Sequence, residues 1–173
     1  MKTTDATLLF VPGLGGAGPE HWLSRWQKKL STARRVEQRD WDTPAPTAWA
    51  AALVEAAAAA QKPVVILAHG LGATTTVIAA AQLAGRVAGA MLVTPPSLAR
   101  GFTDVPLDPL PFPSLVFASR NDVECSFEEA ADMALSWGSA LVDAGDAGHI
   151  DEGSGHGPWP EGLMRFAGFL AKL

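Results

Sequence analysis

The segment PVVILAHGLGATTT, residues 63–76, constrains this chain more than any other. Pro63–Ala68 is an unbroken apolar run, and such a strand has no face for water, so it needs cover on both sides. Two glycines punctuate HGLGA, after which a helical pattern runs to about Leu83. A buried strand that turns at once into a helix is the unit of a parallel sheet. The rest of the chain repeats that unit. Strands are expected at Thr7–Val11, Arg35–Gln38, Val87–Val93, Ser114–Ser119 and Ala140–Val142. Helices are expected from Pro19 to about Leu30, from Thr47 (as N-cap) to Gln61, over Ser126–Trp137, and after Pro160. The pattern predicts an α/β protein: a three-layer α/β/α sandwich around about six parallel strands, with Thr94–Pro113 a loop rather than a helical cap.

Length fits a single domain over residues 1–173, since a chain of this size buries roughly 70% of the surface it exposes unfolded. Thirteen basic against eighteen acidic residues leave a net charge of −5. That balance excludes the concentrated basic face a nucleic-acid protein needs, and the small cluster Lys28, Lys29, Arg34, Arg35 reads as solvated helix-end charge. No apolar run approaches the ~20 residues of a membrane span, and the five-residue run before Pro12 is too short for a signal-peptide core. The lone Cys125 forbids an internal disulfide. A cytoplasmic protein without membrane attachment is expected.

Ligands of parallel sheets sit beyond the carboxyl ends of the strands. The first strand delivers Pro12, Gly13 and Leu14 there; the third delivers His69, Gly70 and Leu71; the fifth, Asn121 and Asp122; the sixth, His149. Acyl transfer on such a sheet uses a serine on a sharp strand-to-helix turn, written GxSxG, followed in chain order by an acid and a histidine. Ala68 and Gly72 frame that turn, and Asp122 and His149 follow in order. The serine position is Gly70.

The segments VPGLGGAGPEHWLSRWQ, VEQRDWDTP, PVVILAHGLGA, SRNDVECSF and DAGHIDEGSGHGPWPEG lie in a stretch that runs from about residue 8 to residue 162. In them the chain resembles the small serine-hydrolase family of the α/β-hydrolase superfamily that includes retinoblastoma-binding protein nine and YdeN-like proteins. The family pattern at the third segment is AHSLG, and this chain departs from it at Gly70. The resemblance implies Asp122 as triad acid, His149 as general base, and the N–H groups of Leu14 and Leu71 as an oxyanion hole. It also implies that His21, Trp22 and Trp159 border a pocket for a small acyl substrate. His156 matches the family without a place in the triad, and a loop-stabilising hydrogen bond is expected of it. Retention of Asp122 and His149 argues that the serine was lost recently, by descent or by design.

Gly13, Gly15 and Gly18 also spell GxGxxG after the first strand, with Glu37 nineteen residues beyond Gly18. This dinucleotide fingerprint is set aside because Pro19 starts the expected helix after the glycines are finished, whereas the third glycine of a true fingerprint packs helix against strand. No HExxH, CxxC or carboxylate cluster supports a metal, and no cofactor is expected. Cys125 has no histidine near it in sequence and reads as a small hydrophobe. Two functions follow: an ester- or amide-hydrolysing site lacking its serine, or a non-catalytic module that binds a small ligand or a protein in the same pocket.

Overall fold

The computed structural model describes residues 1–173. Six strands form one parallel sheet: β1 (Thr7–Val11), β2 (Ala33–Arg35), β3 (Val64–His69), β4 (Val87–Val93), β5 (Ser114–Ala118) and β6 (Ala140–Asp143), in the order β2-β1-β3-β4-β5-β6. Five helices cover it: α1 (Trp22–Lys29), α2 (Pro46–Ala59), α3 (Leu71–Leu83), α4 (Phe127–Ser136) and α5 (Pro160–Leu170). The side chains of β3 alternate between two cores. Val64, Ile66 and Ala68 face α2, α3 and α4; Val65 and Leu67 face α1 and α5. All of β3 is buried, as its sequence required. The three-layer α/β/α sandwich is present.

Several boundaries differ from the sequence expectations, three of them for a visible reason. Helix α1 begins at Trp22 rather than Pro19, because His21 takes the cap: its Nδ1 accepts from the Leu23 N–H at 3.1 Å. Strand β2 lies two residues earlier than expected, in register with β1 through Leu8↔Ala33 and Phe10↔Arg35. Helix α2 starts at Pro46 with Ala45 as cap, so Thr47 sits within the first turn; proline suits that position because its φ is preset and its missing N–H would have had no partner.

Strand order reverses at β1, which has β2 on one side and β3 on the other. Such a switch point opens a crevice outside the carboxyl ends of the two central strands. The β4–β5 connection contains no helix; it buries Phe102, Val105 and Phe112 against the α2–α4 core, and Trp137 ties it down by donating Nε1–H to the Pro106 carbonyl at 2.8 Å. No helix is long and apolar enough to cross a membrane.

The first turn of α3 lies directly on the end of β1. A Cβ on Gly72 would stand 2.0 Å from the Val11 carbonyl oxygen and 2.7 Å from that of Pro12. Both obstacles are backbone, which cannot swing aside. G72A is therefore expected to lower unfolding free energy by about 2 kcal/mol or more, measured by denaturant titration. An unchanged midpoint would show that α3 can shift away from β1.

Candidate active site

At the end of β3 the chain turns within one residue. Gly70 has φ 56 and ψ −127, and α3 begins at Leu71. Glycine reaches this left-handed geometry at little cost, whereas another residue pays about 1–3 kcal/mol in strain. The Gly70 N–H donates to the Val93 carbonyl at 3.0 Å, fixing the turn against β4. Gly13 presses on it from β1: a Cβ there would come within 2.9 Å of the His69 oxygen and 3.1 Å of the Leu71 nitrogen. Leu14 follows Gly13, and Leu71 opens α3; neither N–H has a hydrogen-bond partner within the chain. Two unpaired donors thus flank the turn. The hydroxyls of Thr74, Thr75 and Thr76 all donate to backbone carbonyls of the first turn of α3, so all three are spent within that helix.

The loops after β5 and β6 bring Asp122 and His149 together. His149 Nδ1–H donates to the Asp122 carboxylate, with the two oxygens at 3.0 and 3.1 Å. Since the carboxylate only accepts, the proton of the neutral ring sits on Nδ1 and Nε2 keeps its lone pair. A Cβ on Gly70 would stand 3.4 Å from that Nε2. The loops are laced to each other: Asn121 Oδ1 accepts the Gly148 N–H at 2.7 Å, and Ser119 Oγ accepts the Ala147 N–H at 3.0 Å. Asp122 Oδ1 also accepts the Glu124 N–H at 2.9 Å.

His149 is held at its backbone as well. Its carbonyl accepts from His69 Nε2–H at 2.8 Å and from Thr94 Oγ1–H at 3.0 Å. The next residue, Ile150, is fully buried at φ 49, and its carbonyl accepts from Trp22 Nε1–H at 3.0 Å. The imidazole is therefore anchored both at Nδ1 and through its own main chain.

Three imidazoles stand in a row, with centroids 4.6 Å apart from His21 to His69 and 4.8 Å from His69 to His149. Burial pushes His69 down to about 3, and the neighbouring imidazoles add to the effect. Burial likewise brings His21 to about 4, against a partly offsetting Asp151. Burial also pulls on His149, but its hydrogen bond to Asp122 and the charges of Asp122, Asp151 and Glu124 outweigh it and leave the group above its ordinary 6.5. Of the three, only the imidazole that faces Gly70 is held above its ordinary value.

Around it lies a cavity of about 470 Å³, walled by Leu14, Leu71 and Pro96 on its apolar parts and by Arg100, Glu124, Asp151 and Glu152 on its polar ones. Gly70, His149, Leu14, Leu71 and His21 all line it. Trp22 and Trp159, expected at its border, do not. Both are buried, packed with rings 5.0 Å apart in the α1–α5 core. Aromatic bulk on this face is used to fill the layer beneath α1, and Trp22 reaches the site from behind, through Ile150 and through the rings of His21 and His69, whose centroids lie 5.6 and 6.3 Å away. Cys125 is buried, and burial together with Glu129 and Asp122 pushes its thiol up to about 12, so it holds its proton. His156 Nδ1 meets Ser154 Oγ at 3.1 Å, within its own loop. Sequence reasoning missed the parts of His69 and Thr94. His69 was visible as the residue before the turn, but its partner lies 80 residues away.

These protonation states set the acid response of the fold. His69 and His21 bind protons in the unfolded chain below 6.5 but not in the folded one, so stability is present above 6.5 and declines as pH falls. His149, with a raised folded value, contributes stability that is complete below 6.5 and changes little there. Denaturation between pH 6 and 4.5 is expected to show stability falling by about 1 kcal/mol per pH unit for each of the two buried histidines. In NMR titration, His149 titrates above 6.5 and moves down in D122N. A pH-independent stability over that window would refute neutral burial of the pair.

The serine-hydrolase family model matches residues 8–168. Among solved structures, a protein described as a YdeN-like hydrolase from Pectobacterium atrosepticum is 37% identical, with TM-score 0.92 over 96% of this chain and 91% of its own. The ydeN gene product of Bacillus subtilis is 18% identical, with TM-score 0.74 over 96% and 99%. Esterase 2 of Thermogutta terrifontis is 16% identical, with TM-score 0.71 over 99% and 85%, a likeness of fold. No curated protein sequence matches significantly. The chain belongs to the serine hydrolase family and has the α/β-hydrolase fold of its YdeN-like members.

Proposed function

We propose that the site is an ester- or amide-hydrolysing machine in which Gly70 stands at the nucleophile position, so that the chain as written forms no acyl-enzyme and hydrolyses little by that route. One observation carries the reading: a Cβ on Gly70 falls 3.4 Å from His149 Nε2, while Nδ1 of the same ring is held by Asp122. A hydroxyl on that carbon comes within reach of the nitrogen by rotation about one bond. His149 then takes the proton as serine attacks a carbonyl, Asp122 stabilises the imidazolium, and the Leu14 and Leu71 N–H groups receive the oxyanion. Water releases the acyl group in a second passage of the same proton.

The cavity suits a small acyl substrate, since about 470 Å³ is near the low end of ligand sites and no helix covers it. On the ground of its single free thiol we place the protein in the cytoplasm.

G70S is the decisive variant. Removing a triad serine costs about 10⁶ in kcat. Restoring it is therefore expected to raise hydrolysis of a small activated ester by several orders of magnitude and to make the protein label with a fluorophosphonate probe. H149A in the G70S background is expected to remove the gain. The added side chain sits at positive φ, so G70S is also expected to be less stable than the parent by about 1–3 kcal/mol. If G70S folds, binds no probe and hydrolyses no ester across several acyl lengths, the pocket is instead that of a binding module.

A further inference from the structure

The side chain that serine adds to a glycine is a hydroxymethyl group, whose two heavy atoms are those of methanol. At Gly70 the corresponding carbon position has, apart from the adjoining residues His69 and Leu71, His149 Nε2 at 3.4 Å and the Gly13 Cα at 4.0 Å as its neighbours within 4 Å. The same space opens into the cavity of about 470 Å³ lined by Leu14 and Leu71. The base, its orienting acid and the unpaired N–H groups of Leu14 and Leu71 all lie around a position that a small external molecule can reach.

We propose that this chain, as its sequence stands, transfers acyl groups from activated esters directly to small primary alcohols, with the alcohol held between Gly70 and His149 Nε2. The inference rests on the acyl-transfer reading above. The alcohol donates its O–H to Nε2 and its oxygen attacks the ester carbonyl. A carbon–oxygen bond forms, the alcohol proton moves to His149, and the carbonyl electron pair becomes an oxyanion facing the Leu14 and Leu71 N–H groups. Collapse breaks the bond to the original alkoxide, which leaves with the proton from Nε2. The products are the new ester and the released alcohol. No acyl-enzyme forms, and His149 ends neutral as it began.

Size limits the class. A free molecule approaches the Gly70 Cα only to van der Waals distance, about 3.5–4.0 Å, so it stands further into the cavity than a bonded side chain. Methanol and ethanol meet that condition, with their carbon over the bare Cα atoms of Gly70 and Gly13. A branched alcohol carries a second methyl group and needs more room in front of His149 Nε2, which is only 3.4 Å from the bonded carbon position. Water enters the same reaction and yields the acid, but leaves that apolar surface uncovered.

The test incubates the unmodified chain with p-nitrophenyl acetate and methanol and measures methyl acetate by gas chromatography. Methyl acetate formation is expected to rise with methanol to saturation and to fall about 10²-fold in H149A, and isopropyl acetate is expected to form more slowly when 2-propanol is the acceptor. G70A is expected to abolish it, because its methyl group fills the alcohol's place. Far-UV circular dichroism checks that this variant folds, and H149A carries the test if it does not. Pretreatment with a fluorophosphonate leaves the activity of the unmodified chain intact but silences G70S, which works through an acyl-enzyme. Equal methyl acetate formation by the parent and H149A, or acetate as the sole product, overturns the proposal. If G70S is active while the parent transfers nothing to methanol, alcohol transfer alone falls. If G70S folds and is inert, the reading beneath it falls first.

Discussion

Strand β3 must become helix α3 within a single residue, and the site is arranged by how that residue turns. A φ of 56 at Gly70 reverses the chain sharply enough for the N–H of Leu71 to point out of the helix N-terminus beside the β1 loop. It holds only because α3 can press onto β1, which Gly72 permits by having no side chain where the Val11 carbonyl lies. Gly13 makes the reciprocal concession from the other strand. Three glycines therefore do different things: one turns, and two allow close approach.

The second requirement is that a basic nitrogen face this turn without neighbours competing for its proton. Three imidazoles in van der Waals range would repel one another if more than one were charged. The arrangement resolves this through burial and hydrogen bonding. His69 is enclosed and spends its N–H on the His149 carbonyl, while His21 spends Nδ1 on capping α1. His149 alone has a buried carboxylate behind it and is partly exposed in front. The same bond that orients its ring also raises its proton affinity, so geometry and electrostatics are supplied by one residue.

Residue 70, the proposed nucleophile position, is where stability and chemistry pull in opposite directions. A serine there occupies backbone space that glycine enters freely, and strain at a nucleophile turn is compensated by the surrounding fold. The surroundings here still provide that compensation: the Gly70 N–H bond to β4, the packing of Gly72 and the lacing of the Asp122 and His149 loops are all in place. The scaffold holds a geometry that glycine does not need. That supports a site shaped for a side chain at residue 70.

Strand and helix identities were legible because period and run length are local properties. An unbroken apolar β3 and an alanine-rich α2 each follow from neighbouring residues. The order of Gly70, Asp122 and His149 was legible too, since strand ends converge on one edge of any parallel sheet. Boundaries slipped where a side chain acted as a cap, as His21 did, or where pairing register chose the strand, as at β2. The roles of Trp22, Trp159, His69 and Thr94 were decided only by tertiary structure. Residues 80 positions apart in sequence meet at the His149 carbonyl, and no local pattern says which aromatic ring fills a layer and which borders a cavity. Sequence determined the sheet and which residues arrive at its edge, because both are written in local hydrophobic pattern and chain order. Distances, tautomers and the neutral state of the buried histidines were decided by packing, because they depend on what long-range contacts remove from water.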